Sequence, residues 1–180
     1  MPVTVLVPLA ESFEETELVS PVDLLRRAGA AVTVAALSDE RRVTGRSGIP
    51  IEADASLAAV IGRDFDCVLL PGGPGVKRLR ADARIVALVR RQHAAGRWIA
   101  AICAAPAVLH DAGLLAGRRF TAHFSIADEV PGILSAERTV ADGRLLTARG
   151  AGVSVDFGLL LIERLFSAEK AAEVARSIAA

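Results

Sequence analysis

The chain has 180 residues, with 21 Lys or Arg against 21 Asp or Glu and a formal net charge of zero. That balance gives no basic field for a nucleic acid and no acidic field for a basic partner. The length and the 52% of hydrophobic residues fit one domain over residues 1–180 with a substantial core, and no apolar run approaches the ~20 residues of a membrane span.

Met1-Pro2-Val3-Thr4 begins directly with strand-like residues and shows no signal-peptide pattern. The two cysteines, Cys67 and Cys103, lie in apolar contexts that do not suggest a disulfide framework. A cytoplasmic protein is expected. Val3 to Val7 reads as a first buried strand, followed by Pro8 and a polar turn. In Glu11-Ser12-Phe13-Glu14-Glu15-Thr16-Glu17, Ser12 and Glu15 match a capping box, and the acids suit a helix first turn. Ser20-Pro21-Val22-Asp23 is a second start signal, so either the helix begins again at Pro21 or one longer helix bends there.

Ala31 to Leu37 is a second strand, and Arg42 to Ala53, with Gly45 and Gly48 inside it, a β-excursion. Asp66 to Leu70 is a third core strand that ends in Pro71-Gly72-Gly73-Pro74-Gly75. Ala83 to Ala95 is a helix with Ile85, Val86 and Val89 on one face, stopped by Gly96. Arg119 to Phe124 reads as a short strand, Asp142-Gly143 turns into a strand from Leu145 to Arg149, and two helices follow, one through Phe166 and one from Ser167 to Ala180. Strands alternating with helices predict an α/β doubly wound, mostly parallel sheet, whose sites form at the carboxyl ends of the strands.

One such end stands out. Arg97 to Cys103 is, past the arginine, a continuous apolar run suited to a central strand buried on both faces. Beyond it the chain becomes Ala-rich, with Pro106 near the first turn of a helix. Cys103 therefore falls at a strand-to-helix corner, with the small residues Ala101 and Ala105 on either side as in a nucleophile elbow. The helix N-terminus there is expected to favour thiolate. The competing reading is a small buried hydrophobe, which describes Cys67 in mid-strand better.

Pro71-Gly72-Gly73 lacks the Lys-Ser/Thr of a phosphate loop and the spacing of a dinucleotide fingerprint. It is either a plain turn or a source of backbone N–H groups for an oxyanion. His93, His110, His123 and the cysteines show no metal-ligand spacing, and His93 and His110 are expected to be solvated.

Jointly, Ala100-Ala101-Ile102-Cys103-Ala104-Ala105-Pro106, Pro71-Gly72-Gly73, Glu14-Glu15-Thr16-Glu17 and Ala148-Arg149-Gly150 resemble the ThiJ/PfpI superfamily, in the branch of the Parkinson-disease-linked deglycase and bacterial YajL. Further segments agree in the same order: Pro21-Val22-Asp23, Arg26-Arg27-Ala28-Gly29, Val32 to Ala35 and Asp54 to Leu57. The resemblance thus covers nearly the whole chain. It implies a single flavodoxin-like domain related to the class I glutamine amidotransferases, a homodimer, and no cofactor or metal. It implies Cys103 as nucleophile, Glu17 as its acid partner, and backbone N–H groups from Gly72, Gly73 and Ala104. His123 matches the family's nearby histidine and Arg149 an arginine lining the pocket. Two anions at hydrogen-bond distance repel, so the Cys103–Glu17 pair should keep one proton.

The departures narrow the chemistry. Ala104 stands where the protease-like branch has a histidine, and His123 is followed by Phe124 and Ser125 rather than by the His-x-Glu of glutamine amidotransferases. Counted from Arg149, the third and fifth places are Ala151 and Val153 where the close branch has Pro and Thr. Its Ser-Arg pair is reordered to Arg46-Ser47, so that arginine is not carried over. The expected function is conversion of 2-oxoaldehydes such as methylglyoxal to 2-hydroxy acids, of the glutathione-independent glyoxalase III type, with protein deglycase activity by the same attack. The alternative is a non-enzymatic oxidative-stress sensor or redox-dependent chaperone acting through oxidation of Cys103 to sulfinic acid.

Overall fold

Short runs of β-branched and aliphatic residues bury both faces of a central sheet, and amphipathic segments between them cover it. The computed structural model describes residues 1–180. Along the chain lie β1 (Thr4–Leu9), α1 (Glu15–Arg27), β2 (Ala31–Ala36), β3 (Arg42–Thr44), β4 (Pro50–Glu52), β5 (Ala55–Ser56), α2 (Leu57–Val60) and β6 (Cys67–Leu70). They are followed by α3 (Val76–Ala81), α4 (Ala83–Ala94), β7 (Trp98–Ile102), α5 (Pro106–Asp111), β8 (Thr139–Asp142), β9 (Leu145–Ala148), α6 (Ser154–Leu165) and α7 (Ala168–Ser177).

Seven strands form one sheet in the order β5-β2-β1-β6-β7-β9-β8. Every pair is parallel except the edge pair β8–β9. β3 and β4 make a separate antiparallel hairpin, as the glycine-interrupted segment predicted. Side chains alternate between the two faces with the strand period of two. Val5, Val7 and Leu9 of β1 join the core shared with α1, α6 and α7, and Leu6 joins the core under α2 to α5. Topology reverses between β1 and β6, and the loops at their carboxyl ends part there to open a crevice.

α1 runs unbroken through Pro21. The proline has no N–H to give to the Glu17 carbonyl, yet packing against α6 holds the helix together. Gly158 of α6 lets the helices close: a Cβ there would stand 3.3 Å from Pro21 Cα. The predicted capping box does not form. Glu14, without a side-chain cap, precedes the helix, and Glu15 points instead into the β3–β4 hairpin, where it accepts a hydrogen bond from Ser47 N–H at 2.7 Å. Residues 119–124 are not a strand. Their backbone groups are satisfied one at a time, Thr121 N–H by Thr147 Oγ1 at 3.0 Å and His123 N–H by the Cys103 carbonyl at 2.8 Å.

Candidate active site

β7 delivers Cys103 to the carboxyl edge of the sheet beside the crevice. The cysteine has φ 64°, a left-handed conformation that side chains other than glycine avoid. It is pinned on both sides: its N–H donates to the Ala148 carbonyl of β9 at 2.9 Å, and its carbonyl accepts from His123 N–H. Pro106 then opens α5. The predicted elbow is therefore present in geometry, and it turns the Cys103 side chain into a cavity of about 420 Å³ lined also by Glu17, Gly73, Ala104, Arg46 and His123.

Glu17 is fully buried. Its Oε2 accepts from Gly72 N–H at 2.9 Å, while Oε1 has no hydrogen-bond partner in the protein. Burial pushes its pKa up to about 7, against the opposing pull of the Cys103 thiol and the Gly72 N–H. Burial and the Glu17 charge push the Cys103 thiol up to about 12, and the N–H groups of Gly73 and Ala104 draw it back down. Burial and the facing carboxylate thus work against the thiolate that the helix start was expected to favour. α5 has only six residues, too short a dipole to overcome desolvation and a facing carboxylate. The thiol keeps its proton while the carboxyl titrates near neutrality, so the pair passes from two protons to one around pH 7.

The glycine turn after β6 holds this pair. A Cβ on Gly72 would collide with Glu17 Oε2 and would stand 2.6 Å from Cys103 Cβ. Gly73 has φ 90° and packs on the backbone of Phe13 and Glu14. Gly72 thus serves differently from the sequence expectation: its N–H is engaged by Glu17 and is not free for an oxyanion, while Gly73 and Ala104 N–H groups face the sulfur. Gly72→Ala should destabilise the fold by about 1–3 kcal/mol through overpacking and should part Glu17 from Cys103. Urea unfolding beside the pH dependence of Cys103 alkylation reads both effects, and wild-type values in each would contradict this packing.

The acid-rich turn after β1 distributes its carboxylates among distinct partners. Glu14 pairs with Arg46 at 3.2 Å, Glu15 holds the hairpin turn, and Glu17 reaches Cys103's cavity. Arg46 therefore lines that cavity although the motif comparison set it aside. The signal lay in Gly45 and Gly48, which fold the turn back onto Phe13, whose carbonyl accepts from Arg46 N–H at 2.9 Å. Lys77 in the first turn of α3 and Arg80 in its last turn also line the cavity and were also missed. Ser125 N–H donates to His123 Nδ1 at 3.2 Å, which leaves the neutral ring's proton on Nε2.

Arg149 does not join this group. β9 ends at Ala148, and Arg149, exposed, lines a neighbouring cavity with His123 rather than the Cys103 cavity. His93 and His110 lie exposed on α4 and α5. Cys67 is fully buried, and desolvation drives its thiol far above the ordinary range. Limiting iodoacetamide at neutral pH should therefore label Cys103 and spare Cys67, as read by peptide mass mapping; comparable labelling of Cys67 would contradict the assignment.

A buried carboxyl facing an elbow cysteine at the switch point of a parallel sheet places this molecule among flavodoxin-like α/β proteins with a cysteine at the elbow. The chain belongs to the DJ-1/PfpI family, whose pattern matches residues 3–164. It is 40% identical over 177 residues to the Protein dj-1beta of Drosophila melanogaster, covering 96% of this chain and 95% of that one. It is 32% identical to the Deglycase PfpI of Pyrococcus furiosus, over 79% of this chain and 87% of that protein. The structure of oxidized Toxoplasma gondii DJ-1 superposes with a TM-score of 0.93 at 39% identity, over 98% and 97% of the two chains. Some relatives are longer: the chain spans 45% of the Arabidopsis thaliana Protein DJ-1 homolog A. No helix is long and apolar enough to cross a membrane.

Proposed function

We propose that this chain converts 2-oxoaldehydes such as methylglyoxal to 2-hydroxy acids without glutathione or a cofactor. The observation that carries the reading is the fully buried Glu17, its pKa raised to about 7, against Cys103 on the elbow. A general acid–base group works best with a pKa near the operating pH, and Oε1 is without a partner to compete for the proton.

In this reaction the Cys103 sulfur attacks the aldehyde carbon as its proton passes to Glu17 Oε1. The C–S bond forms, and the carbonyl oxygen becomes an oxyanion facing the Gly73 and Ala104 N–H groups. Glu17 returns the proton to that oxygen, giving a hemithioacetal. It then takes the proton from the former aldehyde carbon and delivers it to the neighbouring carbon, while the hydroxyl proton on the first oxygen passes to the second, with His123 assisting. The first carbon is thereby oxidised to a thioester and the second reduced to an alcohol, so no external oxidant is needed. Water hydrolyses the thioester, releasing the 2-hydroxy acid and the thiol. The same attack on an early aldehyde adduct of a protein side chain is a deglycase reaction, the activity named for the Pyrococcus furiosus relative. Proton NMR of methylglyoxal with the protein and no glutathione tests the proposal by the appearance of lactate.

A second reading, oxidation of Cys103 by peroxide to a sulfinic acid, is favoured by the same Oε1, which when protonated can donate to a sulfinate oxygen. In the proposal the working unit is a homodimer. Val19 on α1 and Val155 on α6, two helices that pack together, leave large apolar side chains exposed, and so does Ile49 in the hairpin. Light scattering at micromolar concentration should give twice the mass of one chain, and a monomer mass would refute it. The two free cysteines fit a reducing compartment such as the cytoplasm.

A further inference from the structure

Beside the Cys103 cavity lies a second one of about 780 Å³, and the two share His123 and Ala151 in their walls. Methylglyoxal, with three carbons, leaves this second space empty. Its lining is largely apolar, with Phe124, Val130, Ile133 and Val153. Phe124 is 80% exposed, which water alone would disfavour. One cation enters this apolar wall. Arg149 is exposed and its side chain makes no ion pair or hydrogen bond, whereas nearby Arg138 is tied to Asp156. The divide between the cavities is low: Ala151 offers a single methyl, and its neighbours Gly150 and Gly152 offer no side chain. A Cβ on Gly150 would stand 3.4 Å from His123 Cδ2, so a larger residue there would press on the shared wall.

We propose that the two cavities form one bipartite site for a 2-oxoaldehyde that carries an aromatic or other apolar body ending in a carboxylate. The aldehyde lies at Cys103, the body crosses Ala151 into the apolar cavity, and the carboxylate pairs with the guanidinium of Arg149, whose planar fork suits two-point recognition. This rests on Cys103 as the attacking group. Arg149 is a specificity residue and takes no part in the proton transfers.

The test compares kcat/KM for methylglyoxal, phenylglyoxal and para-carboxyphenylglyoxal, using initial rates short enough to precede arginine modification. Wild type should prefer the carboxylated ring over the plain ring by about tenfold, equivalent to one well-formed charged contact. Arg149→Gln should bring that ratio close to one. Ala151→Leu should lower both ring substrates about tenfold relative to methylglyoxal. A wild-type ratio near one, a ratio unchanged in Arg149→Gln, or an equal effect of Ala151→Leu on all three aldehydes would overturn the proposal. Calorimetry with para-acetylbenzoate, which has no aldehyde, separates this from the activity itself. It should bind wild type about tenfold more tightly than Arg149→Gln, and equal affinity overturns the subsite. Absence of methylglyoxal turnover overturns the proposed reaction, while this binding comparison still decides the subsite.

Discussion

Glu17→Gln should lower methylglyoxal turnover by roughly 10²–10⁴-fold while the cavity keeps its shape. The amide oxygen can still accept from Gly72 N–H, the contact that seats the side chain at 2.9 Å, but an amide cannot carry a proton between two carbons. The same substitution should act in the opposite direction on stability. Glu17's folded pKa is raised to about 7 from an ordinary 4.5, chiefly by burial. A group whose folded pKa is raised contributes its full stability below the unfolded value and loses it as pH climbs through the folded value. Wild type should therefore weaken between pH 4.5 and pH 7, by about 3 kcal/mol from this group, and Gln, which does not ionise, should remove that slope. Urea titrations at both ends of the window check this: Glu17→Gln should be the more stable protein at the alkaline end. A parallel pH dependence in the two proteins would mean that the carboxyl does not carry its proton into the neutral range. Near-wild-type turnover would remove the proton-shuttle role.

The elbow was legible because two local signals coincide at Cys103: a continuous apolar run that only a doubly buried strand explains, and an Ala-Pro start of a helix. The β3–β4 hairpin was legible for a similar reason, since Gly45 and Gly48 punctuate a β-rich segment. What escaped the sequence depends on contacts between segments far apart in the chain. Ser12 and Glu15 satisfy the spacing of a capping box, yet Ser47, brought over by the hairpin, gives Glu15 a better partner. Residues 119–124 have strand-like composition but find Cys103 and Thr147 side by side instead of a neighbouring strand. β8 is a four-residue edge strand whose only ladder is with β9, so its own pattern carries little signal.

The candidate site divides in the same way. The local pattern named Cys103 and the family resemblance added Glu17, Gly73, Ala104 and His123, and the structure brings these five to one cavity. Which N–H group meets which acceptor could not be read, and so Gly72 was given an oxyanion role that its hydrogen bond to Glu17 precludes. Arg46 was set aside because its motif order differs, whereas the hairpin turn, rather than that order, sets where its side chain goes. Arg149 sits next in sequence to the strand that pins Cys103, but it lines the adjoining space. Chain proximity of one residue did not translate into a shared cavity.

The central claim is that Cys103 attacks a 2-oxoaldehyde with Glu17 moving the proton. Its most direct test is lactate formation from methylglyoxal, in the absence of glutathione, by wild type and Cys103→Ser side by side. A serine hydroxyl keeps the elbow's size, but Glu17, with a pKa raised only to about 7, is too weak a base to activate it. Wild type should therefore produce lactate catalytically and the serine variant should be slower by at least roughly 10³-fold. Serine turnover within tenfold of wild type, or lactate appearing only when glutathione is supplied, would contradict it.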